Sequence, residues 1–373
     1  MQFAQVIGQH ILKKSLTTTA HAGRIPHAQL LLGTAGSGNL AIALAYAQYI
    51  LCTNKGTDDS CGQCSSCKKS QKFIHPDLHF SYPAVGSKVV STQFLENWRT
   101  AITKNPYLNI NQWLQSIGAD NKQGNINKDE CLDIIKKLSL KIFEGSHKIL
   151  LLWLPEYLAK EGNRLLKLIE EPPENTVFLL VAQDQERILP TILSRCQLVK
   201  VPRLADEDIM EGLRQKGMTD NNRIGQTASL ANGNFNQALR LIDQQENDNA
   251  NLLLDWLRKC FLGKGVELFQ WTEMMAKLGR ENQKHFLQYS LHFMREFLLL
   301  KMIGGAGVRL PKEELASAHR MLKVMDFAQV EQIVKLLDHC IFAVERNANP
   351  KILFLDTSIK INKILKPLPV VTT

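Results

Sequence analysis

The sequence predicts an α/β module with a parallel sheet, then a small helical unit and an all-helical C-terminal third. Three observations carry this. The apolar run 28–32 (AQLLL) feeds a glycine loop and then the Ala- and Leu-rich run 40–51, the period change of a strand entering a helix. Two further apolar runs, 148–154 and 177–181, are separated by a helical stretch through 163–170 that stops at Pro172-Pro173, and such alternation implies parallel pairing. From about Leu204 onward apolar residues recur only at helical spacing, as in Phe286, Tyr289, Phe293 and Phe297, or Val330, Ile333, Val334 and Leu337.

A chain of 373 residues exceeds one ordinary domain, and the pattern divides it into an α/β domain over 1–203, a helical unit over 204–247 and a helical domain over 248–373. The stretch 78–126 shows no single clean period; short helices are expected around 94–104 and 112–117, with Trp98 and Trp113 capping the core or, as the alternative, contacting a partner subunit. The stripes of the last third read as bundle core and call for no ligand.

Composition excludes several classes. With 45% hydrophobic and 22% charged residues the chain is neither disordered nor low in complexity. No apolar run approaches the roughly 18 to 20 residues of a membrane span, and the opening MQFAQVIGQHILKK lacks the order of a secretory signal, so a soluble, cytoplasmic protein with no membrane partner is expected. The net charge of +9 suggests a polyanion near the working surface, yet the excess is spread out, which excludes a polybasic tail but not a contributory DNA-facing patch.

Residues 33–40, GTAGSGNL, keep the glycine spacing of G-x-x-x-x-G-K-[ST] between a strand and a helix, where backbone N–H groups cradle phosphates. Gly33, Gly36 and Gly38 fit the fingerprint. Asn39, however, stands where a lysine would meet the β and γ phosphates, and Leu40 where a hydroxyl would hold Mg²⁺. Losing both charge-neutralising groups predicts no productive ATP binding or hydrolysis. The strand at 148–154 also ends without the Asp-Glu pair such a site needs, leaving only Glu156, which reads as a solvated helix-start carboxylate rather than as the alternative, a leftover of that pair.

Cys52, Cys61, Cys64 and Cys67 are spaced C-x8-C-x2-C-x2-C, which brings four thiolates within reach of one tetrahedral ion. Zinc is the expected occupant, with an Fe–S cluster or four free thiols as alternatives, and a site closed by four protein ligands is structural. Cys131, Cys196, Cys260 and Cys340 are isolated and read as small buried hydrophobes.

Taken together, Gln5-Val6-Ile7-Gly8-Gln9, Arg24-Ile25-Pro26-His27-Ala28, the glycine loop, the four cysteines, His75-Pro76-Asp77, the run LLKLIEEPP at 165–173 and Ser194-Arg195-Cys196 resemble the bacterial DNA polymerase III clamp loader, an AAA+ family. These motifs cover about residues 5–240, and the run NANPK at 347–351 resembles the family's C-terminal domain. The resemblance implies an AAA+ module with a zinc-binding insertion, a helical lid and a helical collar that joins other loader subunits in a ring. In that family the gamma/tau type of subunit keeps the lysine and the acidic pair, whereas the delta-prime type commonly lacks a working site, as here. Asn236 likewise falls where the lid arginine would sense the γ-phosphate. The resemblance also implies that Arg195 is offered to the ATP of a neighbouring gamma/tau subunit, as an arginine finger in trans. The implied partners are gamma/tau and delta subunits and, through the complex, a sliding clamp and primed DNA.

Two other functions compete. An independently active AAA+ ATPase is opposed by Asn39 and the missing acidic pair. A nucleic-acid-binding protein that grips DNA through its cysteine module finds thin support, since few aromatics and only Lys68, Lys69 and Lys72 flank the cluster.

Overall fold

A computed structural model describes residues 1–119, 122–243, 249–305, 308, 310, 312–346 and 348–366. The expected boundary at 247/248 and Asn347 fall outside the described residues. The chain forms two compact units, Met1–Ile242 and Asp243–Thr373.

In the first unit the described strands are β1 (Ala28–Leu32), β2 (Leu78–Ser81), β3 (Lys148–Trp153), β4 (Thr176–Ala182) and β5 (Gln197–Lys200). They form one sheet in the order β2-β3-β4-β1-β5, every pair parallel. Around it lie α1 (His10–His21), α2 (Asn39–Leu51), α3 (Ser65–Gln71), α4 (Leu95–Lys104), α5 (Ile110–Ser116), α6 (Lys128–Ser139), α7 (Leu166–Glu170) and α8 (Pro190–Leu193), followed by α9 (Asp206–Gln215), α10 (Asn221–Ala231) and α11 (Phe235–Asp243).

Strand alternation sends residues to two separate cores. Leu31, Ile149, Leu151, Trp153, Leu179 and Val181 face a cluster with α2, the 94–119 segment and α9–α11. Leu30, Leu150, Leu152, Phe178 and Leu180 face Ile134, Leu138, Ile169 and Ile192 on the other side. All 13 residues of α2 are buried, which is why the run 40–51 is apolar on every face.

The structure refines the expected elements. β2 lies inside the stretch without a clean period, and β5 is a half-exposed edge strand, so neither showed the continuous apolar run of β3 and β4. The helix expected through 163–170 divides into a 3₁₀ segment, Ala159–Leu165, and α7. Trp98 and Trp113 are fully buried. Trp98 stacks on Tyr82 at 4.2 Å and meets Trp113 and Trp153 at 5.2 Å each, so the unassigned segment is riveted to the sheet by an aromatic box.

The second unit is helical throughout its described residues: α12 (Asn249–Leu262), α13 (Gly265–Lys277), α14 (Arg280–Ile303), α15 (Lys312–Met321), α16 (Phe327–Glu345) and α17 (Pro350–Leu365). Its centre is a parallel stack of Trp256 on Trp271 at 4.9 Å with Phe286 and Phe354 against it. Phe293, Phe297, Val330, Ile333 and Leu337 are buried as the stripes required, while Tyr289 and Val334 are half-buried at their margin.

Candidate functional site

The glycine loop leaves the carboxyl end of β1 and enters α2, with Gly36 and Gly38 in the left-handed region at φ 74° and 94°. Asn39 turns inward, 4% exposed, and its amide donates to Gly33 O at 3.1 Å and Ala182 O at 2.9 Å while its Oδ1 accepts from the Leu40 N–H at 2.9 Å. A short neutral side chain thus closes the loop onto β4. Gln9, of the N-terminal motif, donates to Ser37 O at 3.1 Å and Pro202 O at 2.7 Å, fixing the loop from its other flank.

Glu156 requires a correction. It opens a short 3₁₀ turn after β3, but it is buried, not solvated. Its Oε1 accepts the N–H groups of Gln183 and Asp184, the latter at 2.8 Å, so it ties the end of β3 to the end of β4. Burial pushes its carboxyl above the ordinary glutamate value against those hydrogen bonds.

Protein groups cover the loop. The Phe235 N–H donates to Gly36 O at 3.0 Å, and a Cβ built on Gly36 would lie 1.7 Å from Asn234 Oδ1. Tyr107 reaches in from the 94–119 segment, its ring 3.2 Å from where a Gly38 Cβ would stand and 4.9 Å from the Phe235 ring. Its hydroxyl accepts the Ile7 N–H at 2.8 Å. Asn236 is 3% exposed and is bonded at both ends of its amide, to Asn105 at 2.7 Å and Gln112 at 2.8 Å. Asn105, Tyr107 and Gln112 carried no signal in the sequence, because the partners they meet at the loop and at Asn236 are far away along the chain, 131 residues in the case of Asn105.

The four cysteines do come together. Their sulfurs lie within 4.8 Å of one another, with Cys52–Cys61 at 3.6 Å, Cys61–Cys67 at 3.9 Å and Cys52–Cys64 at 4.0 Å. Tetrahedral zinc with Zn–S near 2.3 Å needs sulfur–sulfur edges of about 3.8 Å, so the donor set fits. Backbone N–H groups of Cys61, Cys64 and Cys67 point at the sulfurs of Cys52, Cys61 and Cys64 at 3.3 to 3.4 Å, a second shell that favours thiolates. At Cys64 burial opposes ionisation, yet hydrogen bonds involving Thr53 and Cys67 outweigh it and bring the thiol down to about 6. The cluster could hold a metal ion and is compatible with structural zinc. Of the other thiols, Cys131, Cys260 and Cys340 are buried and Cys196 only half-buried; burial raises all four.

His75-Pro76-Asp77 fastens this module to the sheet. Asp77 accepts N–H groups from Phe143, Glu144 and Gly145 at 2.6 to 2.9 Å. The buried His75 ring sits 3.4 Å from Ser66 Oγ in α3 and accepts the Asp77 N–H at 3.2 Å.

Arg195 is elsewhere. It follows α8, where Nη1 donates to Thr191 O at 2.7 Å and Ser194 Oγ at 3.2 Å, and it pairs with Glu170 at the end of α7. It lies before β5, at the amino end of the sheet, whereas the glycine loop follows the carboxyl end of β1. Because Gln197 is level with Gln29 and Lys200 with Leu32, the length of β5, roughly 13 Å, separates the two ends.

A family model described as "DNA polymerase III, delta subunit" matches residues 8–205. The DNA polymerase III subunit gamma of Buchnera aphidicola is 28% identical over 251 residues, 66% of this chain and 59% of that protein. The subunit delta' of Yersinia pestis is 23% identical over 360 residues, 87% of this chain and 88% of that protein. This chain spans 59%, 64% and 61% of the length of three curated gamma and tau relatives. Among solved structures, a gamma subunit-related protein from Thermotoga maritima is similar at TM-score 0.42 and 15% identity, covering 94% of this chain and 99% of that one. With more than half of its residues matched by the family model, the chain belongs to the DNA polymerase III delta-subunit family, a family of clamp-loader subunits.

Proposed function

We propose that this chain is a stator of the delta-prime type: it hydrolyses no ATP and supplies Arg195 in trans to a neighbouring gamma/tau ATPase, so that the complex loads a sliding clamp on primed DNA. In this reading residues 1–203 are the AAA+ module with structural zinc at 52–67, residues 204–247 the lid and residues 248–373 the collar that joins gamma/tau and delta subunits. The protein works in the cytoplasm.

The observation that carries the proposal is the pair of opposite ends. At the carboxyl end of the sheet Asn39 and Leu40 occupy the positions of the phosphate-binding lysine and the metal-binding hydroxyl, and both are buried in protein contacts. At the amino end Arg195 is half-buried and paired with Glu170; it cannot reach its own loop, and a neighbour's phosphate would take the place of that carboxylate. A guanidinium there would stabilise charge on a phosphate bound by another subunit.

The test reconstitutes the chain with gamma/tau-like and delta-like subunits and compares DNA- and clamp-stimulated ATPase for wild type and Arg195→Ala. Assembly should be unaltered, and ATPase and clamp loading should fall by roughly 10³-fold or more at the affected site. Unchanged loading by the variant, or ATP turnover by the isolated chain, would refute the proposal.

A further inference from the structure

We propose that the segment spanning Asn105 to Gln112 acts as a built-in substitute for a nucleotide, holding α9–α11 closed on the glycine loop whether or not ATP is present. This goes beyond the stator reading and depends neither on Arg195 nor on assembly.

The contacts form an unbroken chain. From the loop, Gly36 O accepts the Phe235 N–H, and Gly38 lies under the Tyr107 ring. Tyr107 packs edge-on to Phe235, and a Cβ on Gly212 of α9 would come within 2.7 Å of the Phe235 ring. One residue further, Asn236 exchanges hydrogen bonds with Asn105 and Gln112. The segment is itself stiff: Asn105 Oδ1 accepts the Tyr107 N–H at 2.9 Å, and Asn109 and Gln112 form a reciprocal capping box at the start of α5. Behind it, Trp98 and Trp113 lock α4 and α5 to the end of β3 through Trp153.

The chemistry of the network sets its behaviour. A lysine at position 39 and an arginine at position 236 would be cations in need of a phosphate, so closure would depend on a bound ligand. Here both positions carry neutral amides whose partners are other amides and backbone carbonyls. Such a network needs no counter-charge and does not titrate near neutral pH, and both the oxygen and the nitrogen of the Asn236 amide have a protein partner. Tyr107 is 6% exposed and Phe235 1%, so the apolar part of the latch is sealed as well.

The test is hydrogen–deuterium exchange on the isolated full-length chain, with and without millimolar MgATP. In the wild type, amides of α9–α11 should exchange slowly and at the same rate with MgATP as without it. Asn105→Ala, which removes one half-buried partner, and Tyr107→Ala should each speed exchange in α9–α11 by roughly tenfold, with β3 and β4 unchanged. Should Tyr107→Ala loosen the whole unit, Asn105→Ala decides: faster exchange confined to α9–α11 supports the latch. Slower exchange of the wild-type α9–α11 on adding MgATP, or wild-type rates there in Asn105→Ala, would overturn it. Because the assay needs no partner subunit, its failure would leave the Arg195 experiment untouched, and the reverse.

Discussion

At the scale of single residues, the chemistry turns on substitutions that change what a buried position asks of its surroundings. Asn39 is buried and donates to two backbone carbonyls, Gly33 O and Ala182 O. Asn39→Ala should cost about 1–3 kcal/mol, because Gly33 O loses its amide donor and Ala182 O keeps only the Gly33 N–H, and thermal unfolding at neutral pH should show the drop. Glu156 makes a prediction with a sign. Its folded pKa lies above the unfolded one, so the stability it contributes is complete below the ordinary glutamate value and is lost as pH rises through the raised value. Glu156→Gln keeps an oxygen for the Gln183 and Asp184 N–H groups but cannot ionise. The melting temperature of the variant relative to wild type should therefore climb as pH rises above the ordinary glutamate value; a difference that stays flat with pH would contradict the assignment.

At the scale of elements, legibility in the sequence followed burial on both faces. β1, β3 and β4 were readable because central parallel strands are apolar throughout, and α2 because it is enclosed. β2, four residues long, and β5, an edge strand with exposed Leu198, gave no such run. The cysteine cluster was legible from spacing alone, since two of the intervals are a single turn of chain. The groups covering the glycine loop were not: Tyr107 against Phe235, or Asn105 against Asn236, is a pairing that only the folded chain creates. The cysteine element has a direct test. Purified wild type should carry one equivalent of zinc by native mass spectrometry and Cys64→Ser none, with the variant melting lower because a closed Cys₄ site contributes folding energy. Wild type lacking metal at saturating zinc would count against the structural role.

At the scale of the whole molecule, the parallel sheet has two chemically different ends. Every carboxyl terminus of a strand faces one way, and there the chain packs its own side chains over the glycine loop; the amino termini face the other, and there Arg195 is held by Glu170 and the Thr191 carbonyl. In the stator reading proposed above, this polarity keeps what happens at one end of the sheet independent of the other. The motif glycines show what such a loss leaves behind. Any side chain at position 36 would collide with Asn234 and any at 38 would press on Tyr107, so both glycines remain obligatory for steric reasons. A fingerprint usually read as evidence of phosphate binding is here enforced by packing, so that the two glycines would be required even with no phosphate bound.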